Sequence, residues 1–152
     1  KKFKNLINID NIWGDKRELI CPFELVDVIR SPFSPSVCGG DIFYGDKKIN
    51  DWIESSEMIC DFIDDVDFDI ALIGAGAYAP VLASYIKSKN KSVVTTCGAT
   101  QLFFGVKGKR WTENDNNAHH KVIDDNWIFP IKEDLPTNLK FIESFEGGNA
   151  YW

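Results

Sequence analysis

The chain has 152 residues, of which 44% are hydrophobic and 26% are charged, so it can bury one sizeable core. Its net charge of −6 excludes a generally basic nucleic-acid-binding domain, and no apolar run is long enough to predict a membrane span. We therefore expect a single domain over residues 1–152. We also expect a cytoplasmic location, with no nucleic acid among its partners.

The cysteines do not form a pattern of metal ligands. Cys21, Cys38, Cys60 and Cys97 contain no C-x-x-C pair, and the only histidines are the adjacent His119 and His120. We expect reduced structural thiols and no bound zinc or other resident metal. The first residue is Lys rather than Met, so the domain is also expected to be the C-terminal part of a longer protein.

The first half of the chain predicts a strand, a loop and a helix. Phe23–Ile29 alternates apolar and polar residues and is predicted as a strand. Ser31–Lys48, rich in proline and glycine, is predicted as a loop. The apolar spacing from Ile49 to Ile63 fits one face of a helix.

The middle of the chain predicts a strand, a helix and a second strand. Phe68–Ile73 is a nearly continuous apolar run, typical of a strand buried on both faces of a parallel sheet. Ala77–Lys89 is predicted as a helix that admits Pro80 in its first turn, and Ser92–Cys97 is a β-branched strand. These three elements predict a right-handed βαβ unit and hence the α/β class. Thr100–Val106 is predicted as a short helix, and Leu139–Phe145 as a strand or docking segment.

A glycine-rich turn separates the first of these strands from the helix. Gly74, Gly76 and Ala79 have the G-x-G-x-x-A spacing, in which backbone N–H groups at a helix N-terminus face an anion. We predict that Gly74, Gly76, Ala77 and Tyr78 contact a phosphorylated ligand. The alternative is that the small residues serve only the packing of helix against strand.

A dinucleotide would require a further residue that is missing here. The motif needs an acidic residue about 20 positions on to bind the ribose, or an arginine for NADP. That region is Thr95–Gly98, and no Asp or Glu occurs anywhere from Ile70 to Thr112. The sequence therefore favours another phosphorylated ligand over NAD or NADP.

The same acid-free stretch carries six bases, whereas the rest of the chain has a net charge of −12. We interpret this block as a local anion site. Gly105 and Gly108 predict a flexible loop in which Lys107, Lys109 and Arg110 bind phosphate and Trp111 stacks on a base or sugar. The alternative is a solvated turn. Lys87, Lys89 and Lys91 complement the dipole at a helix C-terminus and need no ligand.

A polar segment follows the second strand, at the edge where open α/β sheets bind their ligands. We predict that Gly98, Thr100 and Gln101 contact the ligand. Cys97 is interpreted as a buried thiol rather than a nucleophile, because nothing in the sequence places a histidine beside it. The sequence identifies no catalytic residue.

The core of the chain resembles a known family of bacterial and viral proteins from polysaccharide loci. The matching segments are "DIALIGAGAYAPVLASYIK" and "GATQLFFGVKGKRW", about 45 residues, with a looser match from "ICPFELVDVI" to the terminal "GGNAYW". The family looks like the second half of the GT-D glycosyltransferase fold. The resemblance implies a Rossmann-like three-layer domain with a mainly parallel sheet.

The resemblance also implies a function, namely transfer from a nucleotide-activated sugar during polysaccharide synthesis, with a divalent metal accompanying the donor. Members of the fold carry an acidic D-x-E motif that this chain lacks, and "GDKRE" at Gly14–Glu18 is a poor substitute. That motif is therefore expected on a preceding segment or on a partner chain or other subunit. The alternative is a non-catalytic module that binds a glycan phosphate or a partner protein within a polysaccharide assembly system.

Overall fold

The computed structural model of the chain describes residues 8–32, 42–44, 47–112 and 118–131. The predicted segment Leu139–Phe145 and the C-terminal "GGNAYW" lie outside these ranges. The described residues form a mixed α/β structure with a parallel sheet of two strands. They fall into two compact units: unit 1 covers Leu25–Thr100, and unit 2 covers the residues up to Glu24 and from Gln101 onward. The prediction of a single domain stays a prediction.

Unit 1 contains a small antiparallel hairpin, a helix and a βαβ unit. Its elements are β1 (Ile42–Tyr44), β2 (Lys47–Ile49), α2 (Trp52–Asp64), β3 (Ile70–Ile73), a 3-10 turn (Gly76–Tyr78), α3 (Ala79–Ser88) and β4 (Ser92–Thr95). β1 and β2 pair antiparallel, with Ile42 opposite Ile49. The predicted loop therefore ends in a hairpin, because its last residues pair with each other.

The parallel βαβ unit is confirmed. β3 and β4 pair in parallel, with Ile70 opposite Ser92 and Ile73 opposite Thr95. Pro80 lies in the first turn of α3, as predicted. The prediction that β3 is buried on both faces is wrong for the described structure: Ile73 is buried, but Ile70 and Leu72 are exposed. Alternate residues of a strand point to opposite faces, so α3 covers one face only.

The core of unit 1 lies between this sheet and two helices. α3 contributes Ala79, Leu82 and Ile86, a helical spacing that gives one apolar face, and α2 contributes Ile59 and Ile63. The N-terminus of α2 is fixed by its own sequence. The Asp51 carboxylate accepts the N–H groups of Ile53 (2.8 Å) and Glu54 (2.9 Å), which are otherwise unsatisfied helix donors.

The prediction of a strand at Phe23–Ile29 is wrong. Residues 21–32 form no regular secondary structure, and Phe23, Val26 and Val28 are exposed. Ile29 alone of this segment packs against the core of unit 1. Alternation of apolar and polar residues favours a strand only when a neighbouring strand is present to pair with it, and the described residues supply none here.

Two of the six bases in the acid-free block are neutralised within unit 1. Lys89 lies 3.0 Å from the carboxylate of Asp64, which also accepts a hydrogen bond of 2.7 Å from the Tyr85 hydroxyl. Lys91 lies 2.8 Å from Asp67 and donates to the Phe68 carbonyl. These acids immediately precede the block, so its local charge is smaller than the sequence suggests.

Asp64 makes the stability of unit 1 sensitive to acid. Its hydrogen bonds from Tyr85 and Lys89 hold the pKa of the carboxyl group below its usual value. A lowered folded-state pKa stabilises the protein above the unfolded value of about 3.9, and this contribution is lost as the pH falls through the folded pKa. Asp64→Asn should therefore lower the urea midpoint at neutral pH, and the difference from wild type should vanish in acid.

Asp65→Asn is the matched control, because the Asp65 carboxylate makes no hydrogen bond or ion pair to any residue that the structure describes. Circular dichroism in urea at several pH values measures both variants. If the difference in urea midpoint between Asp64→Asn and wild type stayed constant across the acid range, the lowered pKa of Asp64 would be contradicted.

Unit 2 is built around tryptophans. Its elements are α1 (Ile9–Trp13), a 3-10 turn (Gly14–Leu19), α4 (Ala99–Phe103), which contains the boundary between the units, α5 (Lys109–Thr112) and a 3-10 turn (Ala118–Lys121). Trp13, Leu102, Trp111 and Trp127 form its buried core. Val106 and Ile128 make an isolated parallel bridge. No helix in the described ranges has the length and apolar character needed to cross a membrane.

Candidate functional site

Two loops leave the carboxyl end of the parallel pair in unit 1, and they contain most of the predicted ligand contacts. The first is the glycine turn after β3, and the second follows β4 from Thr96 to Thr100. In a parallel pair both loops emerge at the same edge, which is where ligands bind in open α/β sheets. This edge is the candidate functional site.

The two glycines of the turn serve different purposes. A Cβ on Gly74 would lie 2.6 Å from the Cβ of Thr100 and 2.8 Å from the Cys97 carbonyl oxygen, so the two loops touch there. Gly76 has a φ of +52°, and a Cβ there would meet nothing within 4 Å. Gly74 is thus a packing glycine, but it packs against the loop that follows β4 rather than between helix and strand. Gly76 fixes a left-handed turn whose outer side is open.

Unpartnered backbone donors lie in this turn. The Tyr78 N–H donates to the Ala75 carbonyl at 3.1 Å, but the N–H groups of Gly76 and Ala77 donate to no residue in the described ranges. They precede α3, whose positive dipole end faces the same way. Unpartnered N–H groups at the start of a helix are suited to binding an anion.

Tyr78 is placed differently from its neighbours. Its ring is buried in the core of unit 1, and its hydroxyl has no hydrogen-bond partner among the described residues. The side chain therefore packs beneath the turn, whereas Gly76 and Ala77 are exposed. Of the predicted contacts in this turn, Gly74, Gly76 and Ala77 are exposed and Tyr78 is buried.

The second loop contributes hydroxyl groups. The hydroxyls of Thr96 and Thr100 are hydrogen-bonded to each other, and the Thr96 N–H extends the sheet to the Ile73 carbonyl at 3.0 Å. Cys97 has a φ of +48°, and its thiol is exposed rather than buried as the sequence predicts. The sequence does not single out Thr96, because it continues the β-branched run of the preceding strand.

Gln101, Lys107, Lys109 and Arg110 belong to unit 2. The Gln101 side chain donates to the Lys107 carbonyl at 3.1 Å, and the Lys107 N–H donates to the Ile128 carbonyl at 2.7 Å. The described hydrogen bonds of Gln101 therefore organise its own loop. Lys109 and Arg110 are exposed in the single helical turn α5, which replaces part of the predicted loop.

Two expectations for this loop are wrong. Trp111 is buried in the core of unit 2, with its ring 4.8 Å from that of His119, so it is not exposed for stacking on a base or sugar. Gly105 is not a flexible hinge. It is buried with a φ of +70°, and a Cβ there would lie 2.7 Å from the Ile12 side chain. Glycine at 105 is required by close packing.

The residues at the candidate site are poorly suited to binding a metal ion. Across the described ranges no three His, Cys, Asp or Glu side chains are grouped as ligands would be, and the stretch from Ile70 to Thr112 has no carboxylate. Hydroxyl and backbone groups alone do not fit a resident divalent ion, which prefers carboxylate oxygens.

Comparison of the chain with protein-family models, with curated proteins and with solved structures found no match. The chemistry of the site therefore has to be argued from its geometry. The geometry offers backbone N–H groups and hydroxyl groups at the carboxyl edge of the sheet, a combination suited to binding an anion.

Proposed function

We propose that unit 1 binds the diphosphate of a nucleotide-activated sugar at the turn between β3 and α3, as part of a glycosyltransferase of glycan synthesis. The observation that carries the proposal is the pair of unpartnered N–H groups at Gly76 and Ala77, on a left-handed turn that is open outward. The resemblance of the chain to the GT-D family supplies the sugar nucleotide as ligand class. Within this proposal the two-stranded sheet is the centre of a Rossmann-like domain.

The turn contributes electrostatic stabilisation. Sugar transfer from a nucleotide donor leaves negative charge on the departing diphosphate, and fixed N–H dipoles stabilise such charge without reorganising. The Thr96 and Thr100 hydroxyls at the same edge add donors that can rotate toward a phosphate oxygen. Neither group is a base or a nucleophile strong enough to act alone, so the acceptor must be activated by other residues.

A second candidate function is binding without catalysis. It is favoured by the lack of any Asp or Glu from Ile70 to Thr112, because this stretch offers no carboxylate to act as general base. In that case the same turn would hold the phosphate of a glycan. An assay for sugar transfer or donor hydrolysis, with and without Mn²⁺, separates the two functions, because only the first predicts turnover.

Isothermal titration with UDP-, GDP- and CDP-sugars tests the shared binding step. We expect one of these donors to bind, and Gly76→Ala to weaken it about tenfold, because a methyl group would occupy the open side of the turn. Thr96→Val should weaken donor binding about fivefold by removing one hydrogen bond. Thr95→Val is the matched control on the preceding residue. No binding of any donor to the folded protein would refute the nucleotide-sugar proposal.

A further inference from the structure

A surface that joins basic and apolar side chains lies in unit 2. Ile128, Phe129 and Ile131 are 63%, 48% and 59% exposed, although each has a large apolar side chain. The Lys107 ammonium lies 5.9 Å from the centre of the Phe129 ring. This basic-apolar patch consists of Lys107, Lys109, Arg110, Ile128, Phe129 and Ile131.

Backbone contacts hold the two halves of the patch together. The Lys107 N–H donates to the Ile128 carbonyl at 2.7 Å, and the Ile128 N–H donates to the Gly105 carbonyl at 3.0 Å. Lys109 and Arg110 follow Lys107 by two and three residues, so their Cα atoms lie within about 11 Å of its own. Both are exposed. Lys107 and Phe129 are thus neighbours on hydrogen-bonded backbone, and Lys109 and Arg110 follow in the same chain segment.

We propose that the basic-apolar patch binds reversibly to an anionic lipid surface. Such a surface accepts apolar side chains at the boundary of the acyl chains while its phosphates attract nearby Lys and Arg. Exposed apolar groups and cations side by side are therefore complementary to it in both respects. The predicted phosphate-binding role of Lys107, Lys109 and Arg110 is retained, but the phosphates belong to lipid headgroups.

A peptide partner fits the patch less well. A peptide that added a strand along residues 128–131 would find few backbone groups to pair with, because Ile128 already uses its N–H and carbonyl within unit 2 and Pro130 has no N–H group. A lipid surface makes no such demand. The net charge of −6 over the whole chain means that an anionic membrane repels the remainder of the protein, so binding should be confined to the patch and sensitive to salt.

Vesicle flotation with the full chain tests the proposal. We expect binding to vesicles of equal parts phosphatidylcholine and phosphatidylglycerol at low salt, little binding to phosphatidylcholine alone, and release by high salt. Lys109→Gln should lower the partition coefficient roughly fivefold, as expected for one charge near an anionic surface. Phe129→Ser should lower it about tenfold by removing apolar area.

Lys87→Gln and Ile53→Ser are the matched controls, because both residues are exposed in unit 1, outside the patch. Neither should change flotation. Absence of binding to anionic vesicles at low salt, or equal effects of control and patch variants, would overturn the proposal.

Two further outcomes would assign the patch to another occupant. Concentration-dependent dimers in analytical ultracentrifugation that Phe129→Ser abolishes, without vesicle binding, would identify a second copy of the chain. Loss of nucleotide-sugar binding in Lys109→Gln with unchanged flotation would show that Lys109 binds a soluble ligand rather than a lipid headgroup. Either result overturns the lipid proposal. The first does not depend on the function of the glycine turn, whereas the second requires that a nucleotide sugar binds to the wild-type protein.

Discussion

Replacing Trp127 with alanine is expected to destabilise unit 2 by about 4 kcal/mol, the range found for buried tryptophan in protein cores. The side chain is only 3% exposed, its ring meets that of Trp13 edge-on at 5.4 Å, and its indole N–H donates to the Ile12 carbonyl. The substitution removes a large apolar volume and leaves that carbonyl without its partner. The cavity and the unsatisfied group act in the same direction.

Urea unfolding followed by tryptophan fluorescence is the appropriate measurement, because Trp13 and Trp111 remain in unit 2 to report its unfolding. The control is Trp52→Ala, since Trp52 is 55% exposed in unit 1 and its loss should cost no more than about 0.5 kcal/mol. Equal changes in the two variants would show that Trp127 is not a core residue.

Replacing Gly74 with alanine is expected to lower the free energy of unfolding by about 3 kcal/mol, which is at the upper end for overpacking. The reason is that the new methyl group would meet atoms that cannot move aside. These are the Thr100 hydroxyl oxygen, the Cβ of Thr100 at 2.6 Å and the Cys97 carbonyl oxygen at 2.8 Å. Gly76→Ala should cost only about 1 kcal/mol, since its methyl group meets open space and the penalty is left-handed backbone strain.

Comparison of Gly74→Ala with Gly76→Ala therefore separates an effect on packing from an effect on ligand binding. Far-UV circular dichroism in urea measures the free energy of unfolding, and hydrogen exchange of the amides in α3 locates the change in unit 1. Adding Thr100→Ala should recover part of the loss in Gly74→Ala, because the hydroxyl is one of the clashing atoms. A Gly74→Ala protein within about 0.5 kcal/mol of wild type would contradict the close contact between the two loops.

Local signals predicted the βαβ unit well. An apolar run before a glycine, an apolar helical face with proline in its first turn and a β-branched run are each set by short-range sequence. The same reasoning failed for Phe23–Ile29, whose alternation has no partner strand within the described structure. It also failed for the exposure of Ile70 and Leu72, which depends on what covers the sheet rather than on the strand itself.

The candidate site could be predicted only in part, because some of its features depend on tertiary packing. The sequence pointed to the glycine turn, but only the tertiary structure distinguishes Gly74, which faces Thr100, from Gly76, which faces open space. Similarly, the basic stretch was visible in the sequence, whereas its proximity to Phe129 was not. Distant residues meet through packing, and residue spacing does not encode that packing directly.

The sequence by itself determined the order of the βαβ elements and the acid-free character of the central stretch, because each depends on neighbouring residues or on composition. The tertiary structure alone decided that Trp111 is buried, that Gly105 is a packing glycine and that Lys89 and Lys91 pair with preceding aspartates. These outcomes depend on burial and on contacts between distant residues, which only the folded chain brings about.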